Sequence, residues 1–395
     1  MPYLTLFLVA TLVAVGARRI GVPYTVALVV TGLALGGLHL ASPAPLTKEL
    51  LFGAFLPGLL FEAAIHLDAA DLRQNRVAML GLAFPGVAAA AGLTALLLAP
   101  ALGLAGVSLG WTSALVFATL ISATDPIAVV AMFRTLGAPK RLSVLVEGES
   151  LLNDGTAVVF FGLALALASG AAPSAGGLLA RLVYQTGVGA LIGLAVGAAG
   201  AWAVVRVGDP MLEIMLTTLV AYGSFSLGEH AGASGVIATV AAGLACGERA
   251  RAMGLSATSR AALSTFWEYV AFALNSLVFL LIGFRVSLAA LAAAWREALL
   301  AFVVVTAARF AITAATAAML PARERLPRGW PALVSWSGLR GGLSMVLALS
   351  LPASLPGRET IVTMTFGVVV LSIVVQGLTI GPLLRRMGMT AKDSI

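Results

Sequence analysis

Asp125, Glu149 and Asp154 stand inside runs that are otherwise apolar, and each has polar company at close spacing: Thr124 and Pro126 in "ATDPIAVV", Ser150 and Asn153 in "EGESLLNDG". Carboxylates beside hydroxyl and backbone carbonyl oxygens make a hard-oxygen donor set, suited to a small hard cation more than to a soft metal. Residues four apart on a helix lie one above the other, so Ser150 and Asp154 share a face. Glu149 and Asn153 form the adjacent stripe, and Glu147 lies two turns below Asp154. On that arrangement Asp154 and Ser150 offer oxygens to a cation, while Glu149 is expected to pair with Arg340 of "SWSGLRGGLSM" as a structural ion pair.

Such groups need a scaffold that tolerates them. The chain has 395 residues, 60% of them hydrophobic and only 10% charged, where a soluble domain carries about 25% charged residues. A soluble protein is therefore excluded. The 43 glycines suit the close helix contacts of a membrane bundle. Cys246 is the sole cysteine, so no intrachain disulfide forms. The net charge of +7 does not point to nucleic acid, because the basic residues are scattered over short connections. Arg18 and Arg19 follow the first apolar run, where a signal peptide has its charges ahead of it, so this run reads as a retained span.

Thirteen apolar runs read as transmembrane helices, at 2–17, 22–38, 46–67, 73–100, 111–136, 141–168, 177–206, 210–228, 233–247, 259–284, 295–320, 329–352 and 360–384. With the N-terminus outside, seventeen Lys and Arg residues fall on the cytoplasmic side and five outside, which predicts a cytoplasmic C-terminus. The spans leave Glu62, Asp125, Glu149, Asp154, Glu268, Arg309 and Arg340 at depth. A charge at the bilayer centre costs roughly 2.5–3.5 kcal/mol on insertion scales. Asp125 and Asp154 enter from opposite sides to matching depths of about 20 Å at 1.5 Å per residue, and Arg340 joins them near the midplane.

Two of these spans should be broken. Pro126 removes a backbone hydrogen bond and frees a carbonyl near Thr124, and three glycines surround Arg340. Broken helices at membrane depth persist where they line a cavity, and the two breaks are seven spans apart, as two inverted six-span repeats require. Glu62 reads either as a residue reaching toward the membrane edge or as part of an access path, with Glu147 a candidate for the same path. Glu268 divides between packing and function, and Arg309 receives no role. His39, His66 and His230 lie near span ends, against a metal site. Gly189, Gly193 and Gly197 make a small-residue packing face, inside the bundle or at a subunit contact.

"FEAAIHLD", "ATDPIAVV", "EGESLLNDG" and "GLRGGLSM", in this order and spacing, together with "FWEYVAFALNSLVFLLIG", resemble the signatures of the cation/proton antiporter superfamily, in its NhaP/NHE branch of electroneutral sodium/proton exchangers. The resemblance spans essentially the whole chain. It implies an all-α polytopic membrane protein of about 13 helices with an NhaA-like fold, in one membrane domain over 1–395. Within that domain it implies a mobile core bundle (71–170 and 293–388) and a dimerisation part (1–70 and 176–290). It further implies Asp154 as the ion and proton carrier with Asn153 beside it, Ser150 and the Thr124 carbonyl as Na+ ligands, and Asp125 and Glu62 acting nearby through water. Glu149 would be held by Arg340. A homodimer in lipid, with no cofactor beyond the transported Na+ and H+, belongs to the same expectation. The long cytoplasmic tail of the animal exchangers is not expected, since few residues follow "LLRRMG".

The expected activity is secondary transport by alternating access, Na+ or Li+ against H+, in a prokaryotic cytoplasmic membrane. Asn153 cannot titrate, which predicts electroneutral exchange. K+/H+ exchange by the same mechanism is the nearest alternative. An intramembrane aspartyl protease would also use two buried aspartates, but it gives no reason for Arg340 or the second broken helix. A cation channel would need a continuous pore.

Overall fold

Long apolar runs leave a backbone in lipid one local way to satisfy its own hydrogen bonds, and every regular element among the described residues is a helix. The computed structural model describes residues 2–20, 23–37, 48–170, 174–285 and 288–389. His39, Lys392 and the edges of the runs read at 22–38 and 46–67 lie outside these residues.

The chain begins with α1 (Pro2–Ile20) and α2 (Tyr24–Gly37). The short α3 (Lys48–Leu50) passes through a π turn at Leu51–Phe55 into α4 (Leu56–His66). Then come α5 (Ala69–Gln74) and α6 (Arg76–Gly81), which continues through a π turn at Leu82–Gly86 into α7 (Val87–Leu104). The first broken pair is α8 (Trp111–Leu120) and α9 (Ile127–Leu136), followed by the unbroken α10 (Lys140–Ala168). Four long helices follow: α11 (Ala175–Val207), α12 (Pro210–His230), α13 (Gly235–Ala252) and α14 (Ala257–Arg285). After α15 (Leu288–Ala293) and α16 (Trp295–Met319) comes the second broken pair, α17 (Trp330–Trp336) and α18 (Gly342–Leu349). The last run is α19 (Arg358–Leu371), a π turn at Ser372–Gln376 and α20 (Gly377–Arg386).

Seven helices of the described residues are long and apolar enough to cross a membrane by themselves. The protein is an integral membrane protein. Twelve of the thirteen apolar runs fall on one of these helices, on a shorter apolar helix or on a broken pair; the run at 233–247 falls on α13, which belongs to none of these groups.

Local chemistry sets the ends. Ser174, Asp209 and Ser234 cap α11, α12 and α13 by accepting from backbone N–H groups one turn in. Gly137 and Gly208, both left-handed, close α9 and α11.

Two groups of helices pack mainly among themselves. One comprises α2, α4 and α11 to α14; the other α6 to α10 and α16 to α20. The glycine stripe on α11 serves the first group. A Cβ at Gly189, Gly193 or Gly197 would run into the carbonyls of Ser234, Ala238 or Ala242 on α13. The stripe is thus the small-residue packing face read from the sequence, and the contact it makes is within the chain. Between the groups, α10 meets α13 at Gly155, where a Cβ would lie 2.9 Å from Ile237, and α14 meets the second break at Gly342, whose Cβ would lie 2.5 Å from Val278.

Candidate ion-binding site at the crossed helix breaks

Pro126 has no N–H to give the Ser122 carbonyl, and α8 stops at Leu120. The last carbonyls of α8 and those of the break must find other donors, since unpaired backbone groups are scarcely tolerated in a protein interior. Each finds one. Arg340 Nη1 donates to the Ile121 carbonyl at 2.7 Å and the Ser122 carbonyl at 2.8 Å. Asn153 Nδ2 donates to the Ser122 carbonyl at 2.9 Å and to Thr124 Oγ1 at 3.1 Å. Ser344 Oγ donates to the Ala123 carbonyl at 3.4 Å, and Ser150 Oγ to the Thr124 carbonyl at 2.6 Å. Thr124 Oγ1 completes this set by donating to Ser150 Oγ at 3.1 Å.

The second break lies across the first. The Asp125 backbone N–H donates to the Leu339 carbonyl at 2.7 Å, and Gly341 fits directly against the Asp125 side chain. Asp125 Oδ1 also accepts from the Ile127 N–H at 3.0 Å, so its carboxylate stands at the N-terminus of α9 and close to that of α18. Negative charge is favoured at both positions by the helix dipoles. Arg340, conversely, sits on the C-terminal carbonyls of α8, where a cation is favoured.

On α10 the two sequence stripes face two different cavities. The first, of about 100 Å³, is lined by Glu62, Thr124, Asp125, Glu147, Ser150 and Asp154, with Asn275 of α14 and the glycines of the second break. That volume holds several waters. Among the described residues the buried Asp154 Oδ1 atom has no hydrogen-bond partner. The second cavity, of about 30 Å³, is lined by Glu149, Asn153, Arg309 and Arg340.

Five of the six residues expected to handle the ion therefore surround one cavity: Glu62, Thr124, Asp125, Ser150 and Asp154. Asn153 does not line it; its amide braces the first break from the side of the second cavity. Glu62 is partly buried, with Oε1 3.5 Å from His66 Nδ1. Glu147, in the same cavity, pairs with Arg134 at 3.7 Å. Glu268 is exposed and accepts from Ser264 Oγ at 2.8 Å, outside either cavity lining.

The expected ion pair of Glu149 with Arg340 is corrected. Glu149 is held by Arg309 of α16, Nη2 to Oε2 at 3.1 Å and Nη1 to Oε1 at 3.3 Å, a two-pronged contact. Arg309 also donates to the carbonyls of Val334 and Ser335 at the end of α17. Its guanidinium lies over the bare Cα of Gly338, where any Cβ would collide with it. Arg340 is taken up by the α8 carbonyls and by its own N–H, which donates to Ser372 Oγ in the π turn at 2.9 Å. Sequence spacing gives no role to Arg309 or Asn275, although "ALNSLVFLL" puts a polar pair in the middle of a strongly apolar run.

Comparison with known proteins gives the family and the fold. The profile of the family described as "Sodium/hydrogen exchanger, transmembrane" matches residues 4–386. The chain is 38% identical over 390 residues to the Na(+)/H(+) antiporter NhaG of Bacillus atrophaeus, covering 95% of this chain and 73% of that one. To the Na(+)/H(+) antiporter NhaP of Pseudomonas aeruginosa it is 38% identical over 350 residues, covering 86% and 81%. The solved structure of the sodium proton antiporter MjNhaP1 from Methanocaldococcus jannaschii at pH 8 shares the fold, with a TM-score of 0.82 at 18% identity and 97% of each chain covered.

Proposed function

The chain belongs to the sodium/hydrogen exchanger family, and on that premise we propose that it exchanges Na+ or Li+ for H+ electroneutrally, with Asp154 carrying each in turn. The observation that carries this reading is the single cavity in which Asp154 meets Asp125, Ser150 and Thr124 at two crossed helix breaks. Asp154 Oδ1 is buried without a partner there. A carboxylate in such a place needs a counter-charge before it can cross, and either a cation or a proton supplies it.

Ser150 Oγ and the Thr124 carbonyl complete the oxygen set for the cation. Asp125 is anchored through Ile127 and Leu339 and acts on the ion through water, with Glu62 and Glu147 along the approach. Asn153 holds the first break and does not titrate, so the carrier gives up one charge for each charge it takes. The helix groups supply the moving parts: a core of roughly 71–170 and 293–388 bearing both breaks, and a scaffold of roughly 1–70 and 176–290 through which two copies pair. The N-terminus lies outside and the C-terminus in the cytoplasm of a prokaryote.

Reconstitution in liposomes with a trapped pH dye tests this. Added Na+ or Li+ should move protons at the same rate with the membrane potential clamped at zero and at 100 mV. A net charge per cycle would feel about 2.3 kcal/mol at that voltage, so a voltage-dependent rate would overturn electroneutrality. Response to K+ alone would keep the mechanism and change the cargo.

The crossing of the breaks yields a further expectation. A Cβ at Gly341 would lie 2.5 Å from Asp125 Cβ and 2.9 Å from Oδ2. Gly341→Ala should push Asp125 off its anchor and lower maximal exchange by at least about tenfold, on the order of 1.4 kcal/mol in the barrier. Membrane-inserted yield should stay within about twofold, since that backbone is extended and open to any residue. Wild-type exchange in Gly341→Ala would show that the close contact has no bearing on transport.

A further inference from the structure

Asn275 lies on α14, outside the helices that carry Asp125 and Asp154, and it lines the same cavity as both. Only 3% of it is exposed. Buried side-chain amides nearly always make hydrogen bonds to protein or ordered water; among the described residues the Asn275 amide makes none. Its placement is fixed by packing. Val278, one turn further along the same face of α14, fits against Gly342 of the second break. That close approach holds the Asn275 face of α14 against the cavity. Tyr222 and Leu274 pack beside Gly58 of α4, so the neighbouring wall is fixed as well.

We infer that Asn275 is a specificity-determining residue for the transported cation: its amide oxygen meets the ion, or a water bound to the ion, from a second wall of the cavity. The inference rests on the exchange reading above. An amide oxygen is a hard, neutral acceptor. It strengthens the hold on a small alkali cation and offers nothing to a proton, which is already accommodated on the carboxylate. The two cargoes of Asp154 are thereby separated chemically, because Asn275 bears on one of them alone.

That separation makes the role measurable. Asn275→Leu keeps the branched outline at a somewhat larger volume and removes the oxygen, whereas Asn275→Asp keeps an oxygen at the same reach. In proteoliposomes the Leu variant should raise KM for Na+ about five- to tenfold, the usual scale of one lost polar contact, by the same factor at every pH. Its maximal rate should stay within about twofold of wild type, since a uniform loss of ground-state and transition-state binding acts on KM. Asn275→Asp should show KM for Na+ at or below the wild-type value. A second readout needs no turnover: Na+ should raise the thermal stability of purified wild-type and Asp variants, and much less that of the Leu variant.

A Leu variant with wild-type KM and wild-type Na+ stabilisation would overturn the inference. So would loss of maximal rate in both variants at unchanged KM, the mark of a packing residue. Wild-type protein and Asp154→Asn are run alongside. If wild type moves no protons on adding Na+, the exchange reading fails; if it does and Asn275→Leu is unaltered, only the role of Asn275 fails.

Discussion

Asp154→Asn will abolish cation-driven proton movement and leave the protein folded. Asn has nearly the same shape as Asp, and among the described residues Asp154 Oδ1 has no hydrogen-bond partner to lose. The change therefore deletes the charge with little disturbance around it. Without that charge the cavity still offers a cation the oxygens of Ser150, Thr124, Asp125 and Asn275, but no carboxylate at the position of Asp154. A charge-assisted contact contributes up to about 3 kcal/mol, so exchange should fall by at least about a hundredfold. The amide cannot release a proton, so the other half of the cycle is lost as well. Asp125→Asn makes a useful contrast. An Asn there still accepts from the Ile127 N–H, the start of α9 keeps its cap, and the expected loss is in cation affinity more than in the existence of exchange. Retention of pH-gradient-driven cation flux by Asp154→Asn would remove Asp154 from the centre of the mechanism.

The sequence made the membrane architecture and both breaks readable because these rest on strong, local signals. Pro126 forbids one backbone hydrogen bond whatever surrounds it, and a glycine cluster weakens helix wherever it lies. The 100° step placed Ser150 with Asp154 and Glu149 with Asn153, and those two stripes do face separate cavities. What stayed hidden was partner choice across helices. Arg309 and Arg340 are both basic residues in the middle of apolar runs, and nothing in the chain's spacing says which one reaches Glu149. The deciding factor is backbone geometry at the first break. The C-terminal carbonyls of α8 are strong acceptors with no partner of their own, and they capture Arg340. Glu149 is left to Arg309, whose approach depends on the missing side chain of Gly338. Asn275 was hidden for a similar reason: a polar residue in an apolar helix is legible, but which cavity it faces is set by the packing of α14 against α4 and the second break.

The pairing of Glu149 with Arg309 carries the second large expected effect. Both side chains are withdrawn from solvent, 4% and 11% exposed, and Arg309 ties α10, α16 and α17 together through Glu149, Val334 and Ser335. Removing one member of a buried ion pair leaves the other uncompensated and costs about 3–5 kcal/mol. Arg309→Met should therefore sharply lower the thermal stability of the purified protein, and so should Glu149→Leu. Removing both together should restore most of it, because two apolar side chains of similar volume leave no buried charge behind. Arg340→Met acts elsewhere: it exposes the α8 carbonyls, so adding Glu149→Leu should bring no comparable rescue. A double-mutant cycle on thermal unfolding in detergent separates the two arginines. Coupling of about 2 kcal/mol or more between Glu149 and Arg309, with little between Glu149 and Arg340, is the expected result. The reverse pattern would return Glu149 to the partner read from the sequence. The same cycle measured on exchange rate then says whether the pair matters beyond stability. Arg309 touches the second cavity and not the first, so the stabilised Glu149→Leu/Arg309→Met double variant should still exchange Na+ for H+ with a KM close to wild type.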